Sequence, residues 1–167
     1  MVEYERKYLM ATEYSPCNAN ETVDIRQGYL AISASVDVRI RIQVGICTEA
    51  TLCIKGREEG GARTEFEWSV SLSDAEKLLD MRIGRIIEKT RHSWDGNDGG
   101  IWSVDVFRGA LEGLVLAEWE CDNGDRLNRG PLELPSGILR EVTGDSRFRN
   151  HYLAYTRDVT VDSLWNL

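Results

Sequence analysis

No apolar run approaches the ~20 residues that a membrane-crossing helix needs, and the N-terminus enters a charged segment at once, so neither a membrane partner nor a secretory leader is expected. Cysteine is scattered: Cys17, Cys47, Cys53 and Cys121 form no Cys-x-x-Cys pair, and no His lies at zinc-ligand spacing. That pattern excludes a zinc ribbon and predicts free thiols in a reducing cytoplasm. Basic residues number 20 against 28 acidic ones, a net charge of −8. A broad nucleic-acid-binding surface is therefore not expected. Histidine is confined to His92 and His151, which read as surface groups. There is no internal repeat and no linker. What remains is a chain of 167 residues, 42% hydrophobic and 29% charged, long enough for one soluble domain with a real core.

Alternation fills the space these absences leave. In Val2-Glu3-Tyr4-Glu5-Arg6-Lys7-Tyr8-Leu9 the two-residue period of a strand puts Glu3, Glu5 and Lys7 on one face and Tyr4, Arg6 and Tyr8 on the other. Residues 23–33, 36–44, 48–55, 62–71, 85–94, 101–108 and 114–121 bring the total to roughly eight strands. Asp95-Gly96-Asn97-Asp98-Gly99-Gly100 is a strong turn signal, and a loop is expected around Ser15-Pro16-Cys17-Asn18. One clear helix is predicted over 73–82, with Ser73 as N-cap, Glu76 as its capping-box partner and Gly84 as a left-handed stop. The C-terminal part reads as loop and short helix, including 146–154. This is a mainly β (α+β) pattern, an antiparallel barrel or sandwich.

The polar faces have an unusual composition. Arg39, Arg41 and Gln43 oppose Val38, Ile40 and Ile42, and paired arginines match phosphate oxygens through bidentate hydrogen bonds. Lys55 shares a face with Thr51 and Cys53, and Lys89 with Arg91. Glu65 and Glu67 lie opposite Phe66 and Trp68, Asp105 is flanked by Val104 and Val106, and Glu118 and Glu120 bracket Trp119. Solvent-facing strand surfaces are common in antiparallel sheets, but these faces carry few Ser, Thr or Gln and set basic doublets beside acidic ones. A sheet closed on itself would turn them inward to line a hydrated channel and would remove its exposed edges. Carboxylate oxygens suit Mg²⁺ or Mn²⁺, and the basic groups suit a chain of phosphates. Buried without ligands, so many charges would be costly.

Glu3-x-Glu5-x-Lys7, Arg26-Gln27-Gly28-Tyr29-Leu30, Arg39-x-Arg41, Leu52-x-Ile54-Lys55-Gly56, Glu65-x-Glu67, Ile87-Glu88-Lys89-Thr90-Arg91, Asp105-x-Phe107, Glu118-x-Glu120 and Glu141-Val142-Thr143-x-Asp145 together resemble the signature of the CYTH family, the triphosphate tunnel metalloenzymes, most of all the short single-domain bacterial inorganic triphosphatases. The resemblance implies a closed eight-stranded antiparallel β-barrel with a charged, hydrated interior over residues 1–154, leaving 155–167 as an unassigned tail, either an edge strand at Val159-Thr160-Val161-Asp162 or disordered. By the same resemblance, Lys7, Arg39, Arg41, Lys55, Lys89 and Arg91 would hold phosphates. Glu3, Glu5, Glu118 and Glu120, with Asp105, would bind Mg²⁺ or Mn²⁺, and Arg147 and Arg149 would close one mouth.

The expected chemistry is metal-dependent hydrolysis of inorganic triphosphate to pyrophosphate and phosphate, a reaction that needs charge neutralisation and in-line positioning. Lys7 sits at the junction of the acidic and basic groups and is a candidate to position or deprotonate the water. Glu3 and Glu5 are the alternative bases. Rival readings are a class IV adenylyl cyclase, a thiamine triphosphatase, and a non-catalytic module that binds polyphosphate or nucleotides. The outer apolar faces suit a homodimer.

Overall fold

The computed structural model describes residues 2–14, 19–59, 62–156 and 159–165. The loop expected at 15–18, with Cys17, lies outside them, as does the side chain of Glu3. The described residues form nine strands: β1 (Val2–Met10), β2 (Glu21–Ile32), β3 (Val36–Val44), β4 (Thr48–Glu59), β5 (Ala62–Ser69), β6 (Ile83–Asp95), β7 (Ile101–Phe107), β8 (Val115–Cys121) and β9 (Ile138–Glu141). They make one antiparallel sheet in the order β5-β4-β3-β2-β6-β7-β8-β1-β9, with an additional β1–β5 pairing. The ninth strand is one more than the sequence predicts. It is short, and its pattern is broken by the neighbouring turns.

β1 is the organising strand. One edge pairs with β8 from Tyr4 to Leu9. The other edge is shared: β5 takes Val2–Tyr4, and β9 takes Tyr8–Met10. Between them the Lys7 backbone N–H donates to Thr143 Oγ1 at 2.9 Å, and its carbonyl accepts from the Val142 N–H at 2.8 Å. The Glu5–Lys7 stretch thus faces a seam that the C-terminal chain fills.

The helix α1 (Leu72–Asp80) starts earlier than predicted. Ser71, not Ser73, is the N-cap, and Asp74 closes the cap: its N–H donates to Ser71 Oγ at 3.1 Å while the hydroxyl donates to its carboxylate at 2.8 Å. A carboxylate in the first turn also suits the helix dipole. Ala75 and Leu79 pack on Ile40, Ile42 and Ala50, on the outer face of the sheet. Gly28 permits this approach, since a Cβ there would lie 3.1 Å from Leu79 Cδ2. Gly84 is left-handed at φ 71° as expected, but it belongs to β6 rather than to the helix end. A Cβ there would come within 2.3 Å of the Ala154 carbonyl oxygen.

The helices α2 (Gly124–Arg129), α3 (Asn150–Tyr155) and α4 (Val161–Trp165) are short. α4 corrects the reading of Val159–Asp162 as an edge strand or disordered tail: Val159 and Leu164 are buried in the core. That core holds Leu9, Tyr29, Ile87, Phe107 and Leu116 from five strands, covered by Val142, Phe148, Leu153 and Ala154. A second cluster, including Tyr8, Trp102, Val104, Ala117 and Trp119, occupies the opposite face of β1, β7 and β8. Trp119 therefore points away from Glu118, as alternation requires. No helix among the described residues is long and apolar enough to cross a membrane.

Candidate active site

Strand register assembles the charged face. Glu5 lies opposite Glu120 and Lys7 opposite Glu118, and Asp105 lies opposite Arg91. Cross-strand partners share a face, so an unbroken chain of ion pairs runs across four strands. Lys7 Nζ is 2.8 Å from Glu118 and 3.6 Å from Glu5. Arg91 reaches Glu118 at 2.5 Å and grips Asp105 through two 2.7 Å bonds, while Lys89 reaches Asp105 at 2.5 Å. On the other side, Lys55 pairs with Glu65 at 2.9 Å, and Arg39 lies 3.5 Å from Glu65 and 3.7 Å from Glu67. The Cys53 thiol donates to Glu65 at 2.8 Å.

Between these halves lies a cavity of about 780 Å³, lined by Tyr4, Arg39, Arg41, Lys55, Glu65, Glu67, Arg91 and Glu120 among others. A much smaller recess at the β1 seam brings together Glu5, Lys7, Thr143, Asp145 and Arg149. The charged face is not charged throughout. Its far end is the apolar cluster of Leu9, Tyr29, Ile87, Phe107 and Leu116, closed by the C-terminal helices.

Burial and neighbours set the protonation states. Burial works against charge on Glu118, but Lys7, Arg91 and Lys89 overcome it and hold the carboxyl well below its usual range. Burial also opposes the Lys7 ammonium, and Glu118 and Glu5 reverse the effect and raise its pKa. Burial prevails at Lys89, whose pKa falls to about 8 despite Asp105. Arg41 is lowered to about 10 by burial and by the nearby Arg39 and Arg91 cations. Glu120 is raised by burial and then by repulsion from Glu118, with Glu5 adding to it.

Glu5, Glu118 and Glu120 each place a carboxylate oxygen within 4.8 Å of the others. A hard oxygen set of this kind could hold a divalent metal ion. Asp105 lies outside this trio; like Glu118, it has both oxygens engaged by cations, here Arg91 and Lys89. Arg149 lines the β1 recess, whereas Arg147 turns to Asp145, with contacts of 3.0 and 2.6 Å. Two participants carry no role in the sequence reading. Thr143 binds the Lys7 backbone, and Asp37, buried at the end of the basic row, holds its carboxylate 2.9 Å from His151 Nδ1. The Thr143 signal is its place in the Glu141–Asp145 motif; His151 gives none, because its partner is 114 residues away.

Sheet and site together define a mainly β protein whose cations and carboxylates gather on one sheet face around a cavity. No family model matches the chain. Over 155 residues it is 37% identical to the inorganic triphosphatase of Nitrosomonas europaea, covering 92% of this chain and 97% of the relative. Over 152 residues it is 32% identical to the inorganic triphosphatase of Acetivibrio thermocellus, covering 90% and 92%. A solved inorganic triphosphatase structure superposes with a TM-score of 0.66 at 33% identity, covering 92% of this chain and 95% of the other. The chain belongs to this family of inorganic triphosphatases, whose CYTH signature opens its first strand.

Proposed function

We propose that this protein hydrolyses inorganic triphosphate to pyrophosphate and phosphate, in one domain spanning 1–154, within a barrel closed where β1 meets β5. The relatives' activity and the β1–β5 pairing support this reading. One observation carries it: Arg41, partly buried in the cavity wall near Arg39 and Arg91, makes no ion pair among the described residues, unlike Lys7, Arg39, Lys55, Lys89 and Arg91. A cavity wall that holds such a charge calls for an anion.

Arg39, Arg41, Lys55, Lys89 and Arg91 hold the phosphate chain, and Arg149 approaches it from the β1 recess. Asp105 fixes the Arg91 guanidinium and the Lys89 ammonium in place, and Arg147 braces Asp145 beneath Arg149. Glu5, Glu118 and Glu120, with Glu3 beside them on β1, hold a divalent Mg²⁺ or Mn²⁺, which when bound supplies positive charge to the phosphates. Lys7 donates to a phosphate oxygen and positions the attacking water, and Glu5 or Glu3 takes the water's proton. The water oxygen bonds to phosphorus as the bridging P–O bond breaks, and the bridging oxygen leaves on pyrophosphate or phosphate. A cytoplasmic setting, supported by the free thiols of Cys47, Cys53 and Cys121, belongs to the proposal. So does a homodimer, supported by the exposed Phe66–Trp68 stack, whose centroids are 6.1 Å apart.

Phosphate release from inorganic triphosphate, ATP and thiamine triphosphate, with and without Mg²⁺ or Mn²⁺, tests this function. Metal-dependent release from triphosphate is expected. Its absence, with tight binding of intact triphosphate, would make the protein a binding module.

A further inference from the structure

Gln27 is fully buried, yet neither its amide nitrogen nor its amide oxygen has a hydrogen-bond partner among the described residues. Register sets it opposite Arg41 on β3, and Arg41 opposite Thr51 on β4. The three therefore form one row on the charged face. Unpartnered atoms recur along the row: Arg41 Nε and Thr51 Oγ1 are buried without partners, as is Arg39 Nε two residues along β3, although Arg41 Nη1 donates to Gln43 at 3.4 Å and Arg39 Nη2 to Glu65 at 3.5 Å. Native proteins leave few such groups, and each is costly. A contiguous set calls for an occupant.

The occupant's chemistry follows from the groups. An amide N–H, a hydroxyl and guanidinium N–H groups all donate, which suits the oxygens of a phosphate. Its orientation follows from the neighbours. On its other side Gln27 lies opposite Ile87, and Tyr29 is the next residue along the same face; both belong to the apolar cluster sealed by Phe148 and Leu153. Arg39 and Arg41 line the large cavity, and Gln27 and Thr51 flank Arg41 on the neighbouring strands, so the row borders the cavity at Arg41 and meets the apolar cluster beyond Gln27.

We propose that Gln27, Arg41 and Thr51 seat the terminal phosphate of the substrate end-on against the apolar plug, so that only chains with a free, unesterified phosphate end are accepted. This deepens the triphosphatase reading and rests on it. Gln27 and Thr51 act as specificity residues that touch the non-bridging oxygens of that phosphate.

Gln27→Met and Thr51→Val remove the donors while nearly keeping the volume. Each should raise KM for triphosphate about tenfold with kcat within about twofold, the mark of uniform binding. Melting temperatures should stay level or rise, since an orphaned polar group disappears. ATP, with one free phosphate end, should inhibit triphosphate hydrolysis by the wild type, and diadenosine triphosphate, with both ends esterified, should not. Unchanged KM in both variants together with lower melting temperatures would make the row structural. Equal inhibition by the two nucleotides would also overturn the seat. Wild-type turnover of triphosphate is measured alongside. Its absence overturns the activity itself, whereas unchanged KM in active variants overturns the seat alone.

Discussion

Burial and like-charged neighbours work against the charges of Arg41 and Glu120, which have opposite signs. Arg41→Ala should weaken triphosphate binding by about 1–3 kcal/mol, the worth of a charged hydrogen bond, read as a rise in KM or in Kd by calorimetry. The Glu120 carboxyl is raised by burial, then by Glu118 and Glu5. Above its unfolded pKa the folded state binds more protons than the unfolded one, so this group's contribution to stability falls as pH rises through that interval. Glu120→Gln should therefore raise the melting temperature of metal-free protein at neutral pH and raise the Mg²⁺ concentration needed for activity. An unchanged metal requirement would remove Glu120 from the metal site. Lys89 works in the reverse sense. Its pKa is depressed to about 8 by burial, so from about 8 up to its unfolded value the unfolded chain binds the extra proton and stability rises with pH. Relative to Lys89→Met, wild type should gain melting temperature from pH 8 to 10 and show a constant difference below pH 7; a relative loss over pH 8 to 10 would contradict the burial-dominated assignment.

The plug under the charged face is the main element-level finding. Leu153 is fully buried on α3 among residues from five strands. Leu153→Ala should cost about 2–5 kcal/mol, measured by denaturant unfolding. Gly84→Ala should also destabilise, because it combines a left-handed φ with a 2.3 Å approach to Ala154. The sequence made the strands legible because alternation is local: residues 36–44 and 101–107 announce themselves in a few positions. The charged cluster was legible for the same reason, since Glu5, Lys7, Glu118 and Glu120 need only strand parity to share a face. The plug was not, because Leu9, Tyr29, Ile87, Phe107 and Leu116 continue charged rows, and only packing from 142–164 explains their apolar end. Gln27 was hidden between Ile25 and Tyr29. Strand parity placed Asp105 on the charged face and the family resemblance put it with the metal ligands; neither reveals its pairing with Arg91 and Lys89. The Ser71 cap was obscured by Ser73, which offers the same chemistry two residues later.

At the scale of the whole molecule, a net charge of −8 coexists with a cavity lined by Arg39, Arg41, Lys55 and Arg91, because the cations are gathered on one sheet face and the acids there are engaged by cations or converge as a trio. The proposed closure through β1 and β5 makes that face an interior and sets a block of phosphate donors beside the carboxylates. Tyr4 and Phe66 line the cavity beside the charged groups. The most direct measurement is kcat/KM for phosphate release from inorganic triphosphate and from ATP, side by side with Mg²⁺ and with Mn²⁺. Triphosphate should be hydrolysed with much the higher efficiency, and only when metal is present. Equal efficiencies, cyclic AMP as the product from ATP, or full activity in a chelator would contradict this account.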